Sequence, residues 1–184
     1  MRSAAAVFGQ EDFAGAETSA MDEESFHLFY SRTARPLRAY LGATLRDPAL
    51  ADDVLQESFL RLLQSKLPPE AGEDHRKNYL FRIATNLMRD HFRKARAASD
   101  QPKIESGRAW HDDVVQKEDM RRIMEELNPK QRELLWLAYV ERFSHGEIAG
   151  MVGAKTESIR PMLARARQSL VQLLRKRVGV GTND

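Results

Sequence analysis

From Asp22 onward, apolar positions return every three or four residues, the spacing that lines one face of an α-helix. Phe26, Phe29, Tyr30, Thr33, Leu37, Tyr40 and Leu41 form the first stripe, and Pro36 inside it predicts a kink or a break. A second helix begins at Asp47-Pro48, a capping side chain followed by a proline at the first helical position, where no amide partner is lost. Its inward face is Ala51, Val54, Leu55, Ser58, Phe59, Leu62 and Leu63; its outward strip is Asp52, Asp53, Gln56, Glu57 and Leu60. Leu67-Pro68-Pro69 stops it. A third helix is predicted over about residues 76–97, with Leu80, Ile83, Ala84, Leu87, Met88, His91 and Phe92 inward. On its outer side Arg82, Asn86, Arg89 and Arg93 fall at i, i+4, i+7 and i+11, one basic row about three turns long.

Residues 98–112 contain Pro, Gly and Ser and break every period, so they read as a flexible linker between two helical halves. The pattern resumes near Asp113. Asn128-Pro129 is a helix start, with Gln131 placed to complete a capping box. Ser144-His-Gly-Glu147 is a second box, opening a short helix with Ile148, Ala149 and Met151. Val152-Gly153-Ala154 makes a turn, and the last helix carries Ile159, Leu163, Ala166, Leu170, Leu173 and Leu174 inward. A short capped helix, a glycine turn and a longer basic helix are the pattern of a helix-turn-helix. Residues 1–21 and 178–184 read as tails, the first rich in Ala, Gly and Glu and without periodicity. The fold class is therefore all-α, two small helical domains joined by a linker, over residues 22–97 and 113–177.

Charge adds a second kind of information. The net charge of +2 hides a separation: residues 1–75 carry 7 Lys/Arg against 13 Asp/Glu, residues 76–103 carry 8 against 2, and the last 24 carry 5 against 1. Basic segments set apart in this way suit phosphate, although solvated helix faces give the same count. With no cysteine in the chain, disulfides, thiolate nucleophiles and Cys-ligated zinc are excluded. No apolar run approaches the roughly 20 residues of a membrane span, and the N-terminus does not read as a signal peptide, which points to a cytoplasmic protein without membrane insertion.

Candidate chemistry is sparse. The five histidines lie in five separate segments, none with a metal-binding partner at i+4, and no phosphate loop or nucleophile elbow is present. His111, Asp112 and Asp113 could hold a divalent ion in a metal-dependent hydrolase, but a solvated acidic linker explains them as well. No catalytic residue, metal or cofactor is expected. The outward strip of the second helix is either an ordinary solvated face or a docking surface with Leu60 as its anchor. In the third helix, the Arg row suits phosphates, Asn86 can bond a base edge, and Tyr79 or Phe81 could stack on exposed bases, with at least one of the two expected in the core. The last helix presents Lys155, Thr156, Ser158, Arg160, Arg165 and Arg167 to duplex DNA, followed by Arg175-Lys176-Arg177.

Taken in order, these segments resemble one family. Ala51-Asp-Asp-Val-Leu-Gln-Glu-Ser-Phe-Leu-Arg61 is similar to region 2.2 of sigma-70 factors, and Tyr79-Leu-Phe-Arg-Ile-Ala-Thr-Asn-Leu-Met-Arg-Asp-His-Phe-Arg-Lys94 to regions 2.3 and 2.4. Leu127-Asn-Pro-Lys-Gln-Arg-Glu133, Phe143-Ser-His-Gly-Glu-Ile-Ala149 and Leu163-Ala-Arg-Ala-Arg167 resemble region 4. The lack of a long insert between them points to the compact extracytoplasmic-function (ECF) group. The resemblance implies a factor that binds core RNA polymerase through its β′ coiled coil and β flap and directs it to promoter DNA, commonly under an anti-sigma factor. It places Asp52, Asp53, Gln56, Glu57 and Leu60 on polymerase, Tyr79, Arg82, Asn86, Arg89 and Arg93 on the −10 element, and the helix-turn-helix on the −35 element. The loop from Lys66 to Lys77 would lie near a flipped −10 base, and the linker would thread toward the RNA exit channel. Two departures stand out. Thr85 occupies a position where the family often has Arg, and Pro161-Met162 replaces small polar and basic residues early in the recognition helix. That helix either begins as late as Ser158 or carries a distortion. The alternative function is a helix-turn-helix regulator that acts without polymerase.

Overall fold

Asp22 accepts a hydrogen bond from the Ser25 amide at 2.8 Å, and that cap opens α1, Glu23–Leu45. The computed structural model describes residues 21–68, 71–98 and 122–179, and within these every regular element is a helix. The expected N-terminal tail up to residue 20, the linker over residues 99–112, and His111, Asp112 and Asp113 lie outside the described residues. After α1 come α2, Pro48–Gln64, and α3, Glu73–Ala98. The second half holds α4, Pro129–Leu135, then a π-helical turn at Trp136–Val140, then α5, His145–Val152, and α6, Thr156–Gly179.

In the first half three helices pack through aromatic and aliphatic stripes. Phe59 of α2 meets the edge of Phe26 and Phe29 at centroid separations of 6.2 and 6.4 Å, while Leu37, Leu41, Ala51, Leu80, Phe81 and Ala84 are fully enclosed. A buried aromatic or leucine side chain contributes about 1.5–3 kcal/mol, so this cluster is the main reason the three helices associate. Buried hydroxyls are satisfied locally: Thr33, Thr44 and Ser58 each donate to the carbonyl four residues back. Three expected core positions come out differently. Tyr30 is 43 % exposed and lies over Phe59 at 4.7 Å from the outside, and Leu63 is 39 % exposed in the last turn of α2. His91 is exposed because no described residue of α3 beyond Met88 is buried. Helix α1 runs through Pro36 as one element instead of breaking there.

The second half follows its caps. Asn128 accepts from the Gln131 amide (2.8 Å), but the Gln131 side chain donates to Ser169 Oγ (2.9 Å), tying α4 to α6 instead of closing the expected box. Ser144 and Glu147 do form the reciprocal box. Gly153, at φ 62°, supplies the left-handed residue that ends α5, a conformation in which a side chain would be strained. Helix α6 starts at Thr156 and continues through Pro161 to Gly179, so the proline lies beyond the first turn. Pro161 has no amide to offer the Glu157 carbonyl, and both residues are exposed.

The two helical halves share one hydrophobic core. Helix α1 packs on α4 and α3 packs on α5, and Phe81 of α3 meets Phe143 at 5.2 Å. Arg132, 2 % exposed, closes the seam. Its five N–H donors all reach backbone carbonyls: Ala43 and Thr44 at the end of α1, and Met124, Glu125 and Leu127 beside α4. The cation thus sits at the negative end of the α1 dipole, where helix carbonyls lack partners. Burial lowers its pKa to about 10, which leaves it charged at neutral pH.

Candidate polymerase and nucleic-acid interfaces

The face of α2 is built by its own periodicity. Ala51, Val54, Leu55, Ser58 and Phe59 turn inward, which forces the residues between them outward. Asp53, Gln56 and Leu60 are exposed, Leu60 at 53 %. Asp52 and Glu57 are half-buried at the sides of the strip. Arg38 forks onto both oxygens of Asp52 at 2.6 and 2.9 Å and holds its carboxyl below the ordinary range, and Arg61 donates to Glu57 at 2.7 Å. Two of the five sequence-predicted residues therefore already have cationic partners, while three point into solvent around an apolar centre. Such a strip can receive a partner that brings its own basic and apolar groups.

The basic row of α3 is only partly assembled. Arg82, Asn86 and Arg93 are exposed along one side, and the Arg82 guanidinium covers the half-buried Tyr79 ring at 4.9 Å. Arg93 also reaches Asp90 at 3.0 Å. Phe81, the other aromatic candidate, is fully buried. Arg89 leaves the row: it turns toward the second half, where its guanidinium approaches both Glu133 oxygens and the Met151 carbonyl, each at 3.4 Å.

Next to Arg89, Thr85 is buried and its hydroxyl lies 2.9 Å from Tyr40 Oη, which also donates to Glu133 at 3.4 Å. The Thr85 position is thus an internal polar contact in this chain. Burial drives the Tyr40 phenol well above its usual value and raises the Glu133 carboxyl, the latter against the pull of Arg89.

Lys155, just before α6, and Thr156, Arg160 and Arg165 on it are exposed, and Ser158 is half-buried near the N-terminal end. Arg167, also exposed, donates to Tyr139 Oη at 3.0 Å. Thr156, Arg160 and Arg167 fall within about 40° of one another around α6, while Ser158 and Arg165 lie on another side, so cations and hydroxyls able to meet phosphates and base edges are spread around its N-terminal half. Pro161 is exposed and Met162 is half-buried.

Sequence reasoning missed Arg132, Glu133 and Tyr40 as functional neighbours. Arg132 and Glu133 looked like ordinary polar helix residues, and only an unusual pair of charges beside Leu134 and Leu135 hinted at burial. Tyr40 was read as core without a partner for its hydroxyl. Among the described residues, no cluster of three or more metal-binding side chains exists, and no helix is long and apolar enough to cross a membrane.

Comparison with known proteins bears on both halves. Residues 29–98 match the family model for sigma-70 region 2, and residues 117–170 the model for sigma-70 region 4. The chain is 29% identical over 158 residues to RNA polymerase sigma factor CarQ of Myxococcus xanthus, covering 83% of this chain and 90% of that protein. It is 30% identical over 146 residues to ECF RNA polymerase sigma factor EcfG of Rhodopseudomonas palustris, covering 75% and 78%. In structure it resembles sigma factor RpoE from Bartonella quintana, solved with the anti-sigma factor NepR, at a TM-score of 0.69 and 23% identity over 83% of this chain and 98% of that one. It also resembles CnrH, solved with the cytosolic domain of CnrY, at 0.60 and 23% over 83% and 89%. These two structural likenesses speak to the fold.

Proposed function

Because the chain belongs to the extracytoplasmic-function group of sigma-70 factors, and so acts with RNA polymerase in transcription initiation, we propose a division of labour between its halves. Residues 22–97 dock on the β′ coiled coil of core polymerase and open the −10 element. Residues 113–177 hold the −35 element in the major groove and meet the β flap. The observation that carries this reading is the strip of Asp53, Gln56 and Leu60, exposed on α2 beside a basic α3.

Arg82, Asn86 and Arg93 contact the −10 strand, joined by Arg89, with Tyr79 as a stacking platform once Arg82 moves to a phosphate. Unstacked bases held this way shift the melting equilibrium without hydrolysis, each stack supplying about 1–3 kcal/mol. The protein therefore has no catalysis of its own and needs no cofactor. At −35, Lys155, Thr156, Ser158, Arg160, Arg165 and Arg167 form the contact set. Its place of action is the cytoplasm, where polymerase is. An anti-sigma factor is the expected regulator, since both structural relatives were solved with a second protein, one of them an anti-sigma factor by name.

Run-off transcription with core polymerase, on DNA selected by the reconstituted holoenzyme, tests the reading. Promoter-specific initiation is expected. Asp53→Ala combined with Gln56→Ala should abolish competition against another sigma factor for core while the helical circular dichroism stays unchanged. Undiminished competition by that variant would remove α2 from the docking surface. Tight, palindrome-specific binding without core would instead indicate a free-standing regulator.

A further inference from the structure

The π-helical turn at Trp136–Val140 leaves Tyr139 53 % exposed, although Leu137 two residues before it is fully enclosed. The turn closes with a five-residue step, the Glu141 amide donating to the Trp136 carbonyl at 3.1 Å. The Trp136 indole donates across the turn to the Glu141 carboxylate at 3.3 Å, and Lys77 meets the same carboxylate at 3.0 Å. Tyr139 is therefore carried on a well-anchored piece of backbone. From there its hydroxyl oxygen accepts a hydrogen bond from Arg167 Nη1 at 3.0 Å.

The chemistry of that acceptor sets Arg167 apart. Arg32, Arg38, Arg61 and Arg93 each meet a carboxylate, which offsets their charge. The bond described for Arg167 goes to an uncharged hydroxyl, so the guanidinium is held in place and its charge is left whole. One N–H is used, and four of the five donors remain for a phosphate. Arg167 also stands in line with Thr156 and Arg160 and follows Arg160 by seven residues, about 10 Å along α6. With the N-terminal turns of α6 against base edges, that offset brings it level with the phosphates.

We propose that Tyr139 is a positioning residue for −35 binding: its hydroxyl fixes the Arg167 guanidinium on the Thr156–Arg160 side of α6, ready for a backbone phosphate of the duplex. The proposal rests on the reading of Arg167 as a −35 contact. A free arginine loses rotamer freedom when it meets a phosphate, and one already held loses less, so the hydroxyl adds affinity without touching DNA. Because the partner is a phosphate, this gain is the same whatever the base sequence.

The test titrates holoenzyme, reconstituted from core polymerase and the full chain, against a fluorescent duplex cut from DNA that it selects, holding the −35 element and ending before −10. Tyr139→Phe removes one oxygen from an exposed ring, so helical circular dichroism and Tm should not move. Its affinity for the duplex should fall by about three- to tenfold, the effect of fixing one long side chain, with the salt slope unchanged. Arg167→Ala should also weaken binding, and should flatten the salt slope by about one unit. Adding Tyr139→Phe to Arg167→Ala should then change nothing more, a result that a merely structural tyrosine would not give. Wild-type affinity in Tyr139→Phe overturns the proposal, as does a loss that adds in full to that of Arg167→Ala, or an Arg167→Ala variant that binds as the wild type does. Core-dependent initiation by the wild-type chain reports separately on the sigma-factor reading: with initiation intact, each of these results counts against the Tyr139–Arg167 pair and leaves that reading standing.

Discussion

Arg132 uses all five guanidinium donors on carbonyls, two of them at the end of α1, more than 80 residues away in sequence. A shorter apolar side chain would leave buried acceptors without partners, each costing about 1–3 kcal/mol. Arg132→Met is therefore expected to lower stability by at least about 3 kcal/mol in urea unfolding; a loss within error of zero would mean that water replaces the guanidinium.

Glu133 makes a different prediction. Burial raises its folded pKa above the unfolded value, so between the two the folded chain binds a proton that the unfolded chain has released. This carboxyl thus favours the folded form at mildly acidic pH, and the benefit is lost as pH rises through the folded pKa. The stability difference between Glu133→Gln and wild type should move in the variant's favour across that window. A pH-independent difference would mean that Arg89 offsets the burial completely.

At the scale of the element, caps decide where the second-half helices begin. Ser144→Ala removes both the acceptor of the Glu147 amide and one partner of its carboxylate, and should cost about 1 kcal/mol by thermal unfolding. No change would imply that α5 is fixed by packing alone. Three of these starts were legible because a capping residue announces itself in sequence: Asp47, Asn128 and Ser144 all cap as their spacing predicts, and Asp22 caps α1 where the helical pattern begins. The stripes of α1, α2 and α3 were legible for the same local reason.

What escaped is whatever depends on a distant partner. The π-helical turn at Trp136–Val140 has no sequence mark and arises where the Glu141 and Phe143 amides bond back to Trp136 and Leu137. Gln131 satisfied the box pattern yet found Ser169 instead. His91 has the right phase for the core, but α3 outruns the helices that would cover it. Pro161 broke a propensity rule without breaking the helix, at a place where both it and Glu157 are exposed.

For the whole molecule, the shared core sets the expectation. Leu41, Phe81, Leu137 and Ile148 belong to one buried cluster that spans both halves. Unfolding should then be one cooperative transition, with calorimetric and van't Hoff enthalpies equal. Two resolved transitions would show that the halves hold together too weakly to couple. The candidate interfaces divide along the same line: which residues of α2 face outward could be read from periodicity, whereas the fate of Arg89 could not, because its partner is a carboxylate from the other half.

The exposed cations of α3 also bear on where such a protein spends its time in a cell. A chromosome offers an enormous excess of ordinary sites, and an uncovered basic helix binds them through counterion release regardless of sequence. Molecules trapped in that reservoir are lost to the search for polymerase. With Arg82 and Arg93 open and only Lys77 and Arg89 paired across the halves, the share of the protein available to core enzyme should depend on ionic strength as well as on synthesis.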